Sequence, residues 1–130
     1  MKILIIDDDT SAAVTLKALL MSQESFEIDM VYGGKEGLEK LAANPGYDVV
    51  LLDIMMPNVS GMDVCKAMAK DEKLKKIPVL LASALPIASK ELHELLDEFK
   101  TLNVVKGVLE KPFSMDDLLA AIKSVTQPAA

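Results

Sequence analysis

Five short apolar runs alternate with five stretches of helical periodicity, and this rhythm limits the chain to few folds. The runs are "KILII" (2–6), "FEIDMVY" (26–32), "DVVLL" (48–52), "PVLLA" (78–82) and "VVKGVL" (104–109). "DVVLL" and "PVLLA" are continuously apolar, as expected for strands covered on both faces. "FEIDMVY" instead alternates, with Phe26, Ile28 and Met30 on one side, which predicts a half-exposed strand at a sheet edge. The fifth run is the least regular.

The intervening segments read as helices. Residues 10–22 carry Ala13, Leu16 and Leu20 toward a core, and residues 34–43 carry Leu38, Leu41 and Ala42 before stopping at Pro45 and Gly46. Residues 61–70 carry Met62, Cys65, Met68 and Ala69, and residues 88–100 carry Leu92, Leu95, Leu96 and Phe99. Residues 115–125 follow Ser114 as N-cap, with Asp117 at the third helical position. Strand and helix alternating five times predict a parallel sheet with right-handed crossovers and helices on both faces. The run 70–76, "KDEKLKK", reads as a solvated helix end and loop.

A chain of 130 residues fits one domain. We assign 1–126 to that domain and 127–130 to a tail. Net charge is −6, which speaks against a nucleic-acid face and suits protein or cation partners. No apolar run reaches membrane-spanning length, and the start, "MKILIID", is too short for a signal peptide, so a cytoplasmic protein without membrane partners is expected. The single cysteine, Cys65, excludes an intrachain disulfide and reads as a small core residue. His93, the only histidine, reads as a solvated helix-face residue.

In such a sheet the loops after the strands' C-terminal ends share one edge, where sites form. That edge gathers Asp7, Asp8 and Asp9 after the first strand, Asp53 after the third, Ser83 after the fourth and Lys111 after the fifth. The stretch "LLDIMMPNVSG" (51–61) ends an apolar strand on a carboxylate, which is expensive unless a neighbour uses the charge. Gathered carboxylates repel one another, and a hard divalent cation relieves the repulsion. Mg²⁺ suits one or two carboxylates plus water and phosphate oxygens. Lys111 adds a compact positive charge and Ser83 a hydroxyl donor. Together they suit a phosphoryl group on Asp53, since a carboxylate can act as nucleophile toward phosphorus.

These motifs, "ILIIDDD" (3–9), "DVVLLDIMMPNVSG" (48–61), "IPVLLASA" (77–84) and "EKPFS" (110–114), resemble the receiver domain of two-component response regulators over essentially the whole chain. The resemblance implies a flavodoxin-like α/β fold, a five-stranded parallel sheet of order 2-1-3-4-5 with five helices on both faces. It implies Asp53 as phosphoacceptor, and Mg²⁺ held by Asp8, Asp53 and the backbone carbonyl of Met55, with Asp7 reaching it through water. Ser83 would bind a phosphoryl oxygen and Lys111 would pair with the phosphoryl group. A cis Lys111–Pro112 bond is also implied, with Pro57 and Gly61 shaping the loop after Asp53 and Gly61 opening the third helix. The phosphodonor would be a sensor histidine kinase or phosphotransfer protein. The output would be a protein target, because no DNA-binding segment follows residue 126, unless the chain is a piece of a longer one.

Such a chain is a phosphoacceptor that assists its own phosphorylation and dephosphorylation, not a turnover enzyme. A phosphohydrolase with an aspartate nucleophile would need a second acid where Met55 stands, and a flavin module would need Ser, Thr or Gly where "DDD" stands. A degenerate receiver would lack part of the acid, hydroxyl and lysine set. The chain departs from the family at Val108, where an aromatic residue is usual, and in a longer 84–109 segment without the common Gly-Ala turn. Met55 and Leu85 follow Asp53 and Ser83 by two residues; both are apolar and orient no water, so slow self-hydrolysis of an aspartyl phosphate is expected.

Overall fold

Strands β1 (Lys2–Ile6), β2 (Glu27–Val31), β3 (Val49–Asp53), β4 (Val79–Ser83) and β5 (Val105–Glu110) form one parallel sheet of order β2-β1-β3-β4-β5 in the computed structural model. The structure describes residues 1–22, 26–54, 56, 58–86, 88–111 and 113–126. Between the strands run helices α1 (Thr10–Met21), α2 (Gly34–Ala43), α3 (Gly61–Ala69) and α4 (Lys90–Lys100), and α5 (Met115–Thr126) follows β5.

The continuous apolar runs are explained by helices on both sides of the sheet. Side chains alternate across a strand, so Ile3 and Ile5 face one layer while Leu4 and Ile6 face the other. The first layer buries Ala13, Leu16 and Leu20 of α1 and Leu118 and Ile122 of α5 against Ile3, Ile5, Val49, Leu51 and Leu80. The second buries Leu41, Val64, Cys65, Met68, Leu92 and Phe99 against Leu4, Ile6, Val50, Leu52 and Leu81. Strand β2 lies at the edge as its alternation predicts, with Phe26, Ile28 and Met30 packed on the α1–α5 side. Burial pushes the Cys65 thiol up to about 12, in keeping with a packing role.

Four of the five helix starts are fixed by side-chain caps, α2 starting after Gly33 without one. Asp9 accepts from Ala12 N–H, Ser89 from Leu92 N–H and Ser114 from Asp117 N–H. Ser60 and Asp63 form a reciprocal capping box at α3, whose bonds from the Ser60 backbone and hydroxyl hold the Asp63 carboxyl below its usual value.

Two sequence expectations need correction and a third is explained. Ala42 does not join the core: the buried face of α2 is Gly34, Gly37 and Leu41, because α2 packs too closely for larger groups, and a Cβ on Gly37 would sit 2.5 Å from Ile6 Cδ1. The 70–76 run is not wholly solvated, since Leu74–Lys76 form a single 3-10 turn that buries Leu74 beside Ile77 and Met68. The irregularity of the fifth strand has a defined cause: β5 slips by one residue against β4, Val79 pairing Val105 while Leu80 pairs Gly107, so Lys106 is the extra residue.

Candidate phosphoacceptor and metal site

Parallel strands bring their C-terminal ends to one edge, and there the predicted carboxylates meet. Asp7 follows β1 directly and its N–H donates to Val31 O at 3.2 Å, continuing the β1–β2 ladder by one residue. Its Oδ1 accepts the Asp9 N–H at 2.9 Å, a turn that leads into α1. Asp53 is itself the last residue of β3, paired with Ala82. Ser83 is the last residue of β4, and its carbonyl accepts the Lys111 N–H at 2.7 Å, so backbone pairing alone brings Lys111 to this edge.

The side chains converge. Lys111 Nζ lies 3.0 Å from Asp7 Oδ2 and 3.7 Å from Asp53 Oδ2. Asp7, Asp8 and Asp53 each offer an oxygen, all within 4.8 Å of one another. Asp7 and Asp53 are buried, at 2% and 8% exposure, whereas Asp8 faces solvent. Burial acts most strongly on Lys111 and by itself would lower its pKa. The hydrogen bond to Asp7 and the charges of Asp53, Asp7 and Asp9 outweigh it, so the ammonium is held above the ordinary lysine value. Asp9, the third acid after β1, has two tasks: it caps α1 and adds to the field on Lys111.

Ser83 is buried, at 2% exposure, and its hydroxyl is engaged with the next turn. Oγ donates to Leu85 O at 3.1 Å and accepts from Leu85 N–H at 3.0 Å. This local turn was not legible from residue types alone. Leu85 itself packs against the layer formed by α2, α3 and α4. Gly61, expected to shape the loop after Asp53, opens α3 and donates its N–H to Ile54 O at 3.2 Å. A Cβ there would sit 2.8 Å from Asp53 O and 3.0 Å from Ile54 Cα, so only glycine lets the loop return onto the end of β3. Asn58, in the same loop, takes φ 67°, a left-handed conformation that asparagine tolerates. Met55, Pro57 and Pro112 lie outside the described residues, and with them the carbonyl assigned to the metal and the expected cis bond. His93 is exposed on α4.

Three acidic oxygens this close, with one ammonium for two buried carboxylates, form a donor set of the hard type that a small divalent cation fits. The set sits on the α/β edge where ligands bind in open parallel sheets.

The chain matches the response regulator receiver domain over residues 3–123 and belongs to that family. It is a receiver domain of two-component signalling. It is 30% identical over 125 residues to the response regulator ArlR of Staphylococcus saprophyticus, covering 95% of this chain and 51% of that protein. The chain thus spans about half the length of the curated relatives it matches. The structure superposes on the chemotaxis protein CheY4 of Vibrio cholerae with a TM-score of 0.82 at 27% identity, covering 95% of this chain and 97% of that one. The receiver domain of a sensor histidine kinase from Pseudomonas aeruginosa, 18% identical, shares the fold with a TM-score of 0.81 over 96% of each chain; it holds a magnesium ion coordinated in its active-site cleft. Among the described residues no helix is long and apolar enough to cross a membrane.

Proposed function

We propose that the chain is a phosphorylation-dependent signalling switch, with Asp53 taking a phosphoryl group from the phosphohistidine of a sensor kinase or phosphotransfer protein. One observation carries this reading: a carboxylate at the end of β3, 8% exposed, lies in one cluster with two further acids and 3.7 Å from an ammonium. In the transfer, Asp53 Oδ attacks phosphorus, the P–N bond breaks, and the donor imidazole leaves with a proton. Asp7, Asp8 and Asp53 would hold Mg²⁺, which when bound supplies positive charge to the phosphoryl oxygens. Magnesium in the Pseudomonas receiver domain supports that assignment.

Lys111 is set to follow the added negative charge. It is already paired with Asp7, and a phosphoryl group on Asp53 would bring further oxygens to the same ammonium. Ser83 can donate to the phosphoryl group only by ending its half of the exchange of hydrogen bonds with Leu85, the donation to Leu85 O. That exchange is the two-state element: releasing Leu85 disturbs its packing on the α2–α4 layer and so alters the surface beyond β4. The chain acts as a phosphoacceptor in the cytoplasm, and its output is a protein partner that distinguishes the two forms.

Incubation with a small phosphoramidate donor and Mg²⁺ tests this. One phosphoryl group should appear per chain, labile to hydroxylamine, and Asp53→Asn should abolish it. Full labelling of Asp53→Asn would overturn the assignment.

A further inference from the structure

The loop from Asp53 to Gly61 is held on two sides. On its inner side Gly61 N–H donates to Ile54 O at 3.2 Å, and the space for a Cβ on Gly61 is closed by Asp53 O at 2.8 Å. The end of the loop thus rests on the backbone of Asp53. On its outer side the loop meets the first turn of α2. A Cβ on Gly34 would sit 2.4 Å from Val59 O, 2.7 Å from Val59 Cγ1 and 2.9 Å from Val59 Cβ. Val59 therefore fills the place that a side chain at position 34 would take. Gly34 does not have a positive φ, so the close approach, not an unusual backbone conformation, is what requires glycine here.

A push on Val59 has a short path to the acids. Val59 and Gly61 flank Ser60, which is tied to α3: its N–H and Oγ donate to Asp63 Oδ2 at 3.0 and 3.1 Å, and Oγ accepts the Asp63 N–H at 3.2 Å. The Val59 side chain packs on the α2–α4 layer, which resists movement inward. Room to yield lies outward, in a groove of about 250 Å³ between the start of α2 and Asn58. Movement that way draws Ser60 and Gly61 with it and changes the support under Asp53 O.

We propose that Gly34 is a positioning residue for the acid cluster: its bare backbone lets Val59 seat against α2, and this seating holds Asp53 in register with Asp7 and Asp8. The assignment rests on the reading of that cluster as a magnesium site. Helix α2 supplies none of the three acids, so Gly34 acts only through the loop. Gly37 is the matched comparison. It is buried on the same helix, but a Cβ there would meet Ile6 Cδ1 at 2.5 Å, the far end of a side chain that can rotate without moving the backbone.

Gly34→Ala and Gly37→Ala are compared with the parent in magnesium titrations followed by amide resonances. Gly34→Ala should bind magnesium about tenfold more weakly, the scale of effect of a group that supports a metal ligand. Its Asp53, Ile54 and Gly61 resonances should already be displaced without metal. Gly37→Ala should keep the parent affinity. Phosphorylation of Gly34→Ala by a small phosphoramidate should return to the parent rate at saturating magnesium, since affinity and not transfer is impaired. Parent affinity in Gly34→Ala, equal weakening in Gly37→Ala, or a rate deficit that persists at saturation would overturn the assignment. Should Gly34→Ala fail to fold, the parent decides: magnesium should shift the Gly34 and Lys35 amides together with Val59, and resonances that stay fixed there would overturn it. A parent that binds no divalent ion would overturn the magnesium reading itself, an outcome distinct from a parent that binds and a Gly34→Ala chain that binds equally well.

Discussion

Replacing Asp53 by Asn should make the metal-free protein more stable, not less, and should remove its stabilisation by magnesium. Asp53 lies within 4.8 Å of oxygens of both Asp7 and Asp8, and 3.7 Å from Lys111 Nζ. At an effective dielectric constant of about 20, each carboxylate pair repels by about 3.5 kcal/mol and the lysine attracts by about 4.5 kcal/mol. Asp8 faces solvent, so its share is roughly halved by screening. Repulsion then exceeds attraction by about 1 kcal/mol, and the isosteric amide keeps the shape of the site while Lys111 keeps Asp7 at 3.0 Å. A gain of about 1 kcal/mol in a chain of this size raises the melting midpoint by about 3–5 °C. Magnesium reverses the order. At about a hundredfold excess over its dissociation constant it adds about 2.7 kcal/mol to the chain that binds it, and a site short of one carboxylate loses most of that gain. Thermal melts of both chains, in EDTA and in a magnesium titration, supply all four numbers. An Asp53→Asn midpoint below the parent's in EDTA, or equal magnesium responses, would refute the balance of charges drawn here.

Lys111→Met leaves two buried carboxylates without their cation. Breaking a buried pair costs about 3–5 kcal/mol, and the 23% exposure of the Lys111 side chain brings the expected loss to about 2–3 kcal/mol, read from urea midpoints. Because the folded pKa of Lys111 lies above 10.5, its contribution is fully present below that pH and fades as pH rises through the folded value; a gap between parent and variant that already closes near neutrality would contradict the pairing. Gly61→Ala meets the Asp53 carbonyl oxygen at 2.8 Å and the Ile54 backbone at 3.0 Å, neither of which can yield as a side chain would. It should cost about 1–3 kcal/mol and weaken divalent-ion affinity together, and an unchanged urea midpoint would show the loop to be freer than drawn. The aspartyl phosphate should decay slowly without a phosphatase, since Leu85 offers no group to orient water; loss as fast as the donor can be removed by rapid desalting would count against this.

What the sequence made legible follows from which signals are carried by side-chain chemistry. Short apolar runs exposed all five strands and alternation the edge position of β2, because each buried strand needs apolar residues on both faces and β2 does not. The acids and Lys111 were legible because strand ends are readable and parallel strands must share an edge. The buried face of α2 was not, since Gly34 and Gly37 contribute closeness rather than hydrophobicity and so leave no periodic mark. The slip at Lys106 and the exchange between Ser83 and Leu85 are decisions of the backbone, set by neighbouring strands and turns rather than by residue type. The same holds at the edge away from the site, where the Tyr47 hydroxyl donates to Asp29 and Lys2 Nζ lies 5.0 Å from the centre of the Tyr47 ring. That contact joins the starts of β1 and β3 to the middle of β2, and burial of the phenol, with the bond and charge of Asp29 adding to it, raises the Tyr47 pKa well above its ordinary value. Residue types therefore reveal where charge must gather, while the exchangeable hydrogen bonds through which such a gathering could act on a surface become visible only in the folded backbone.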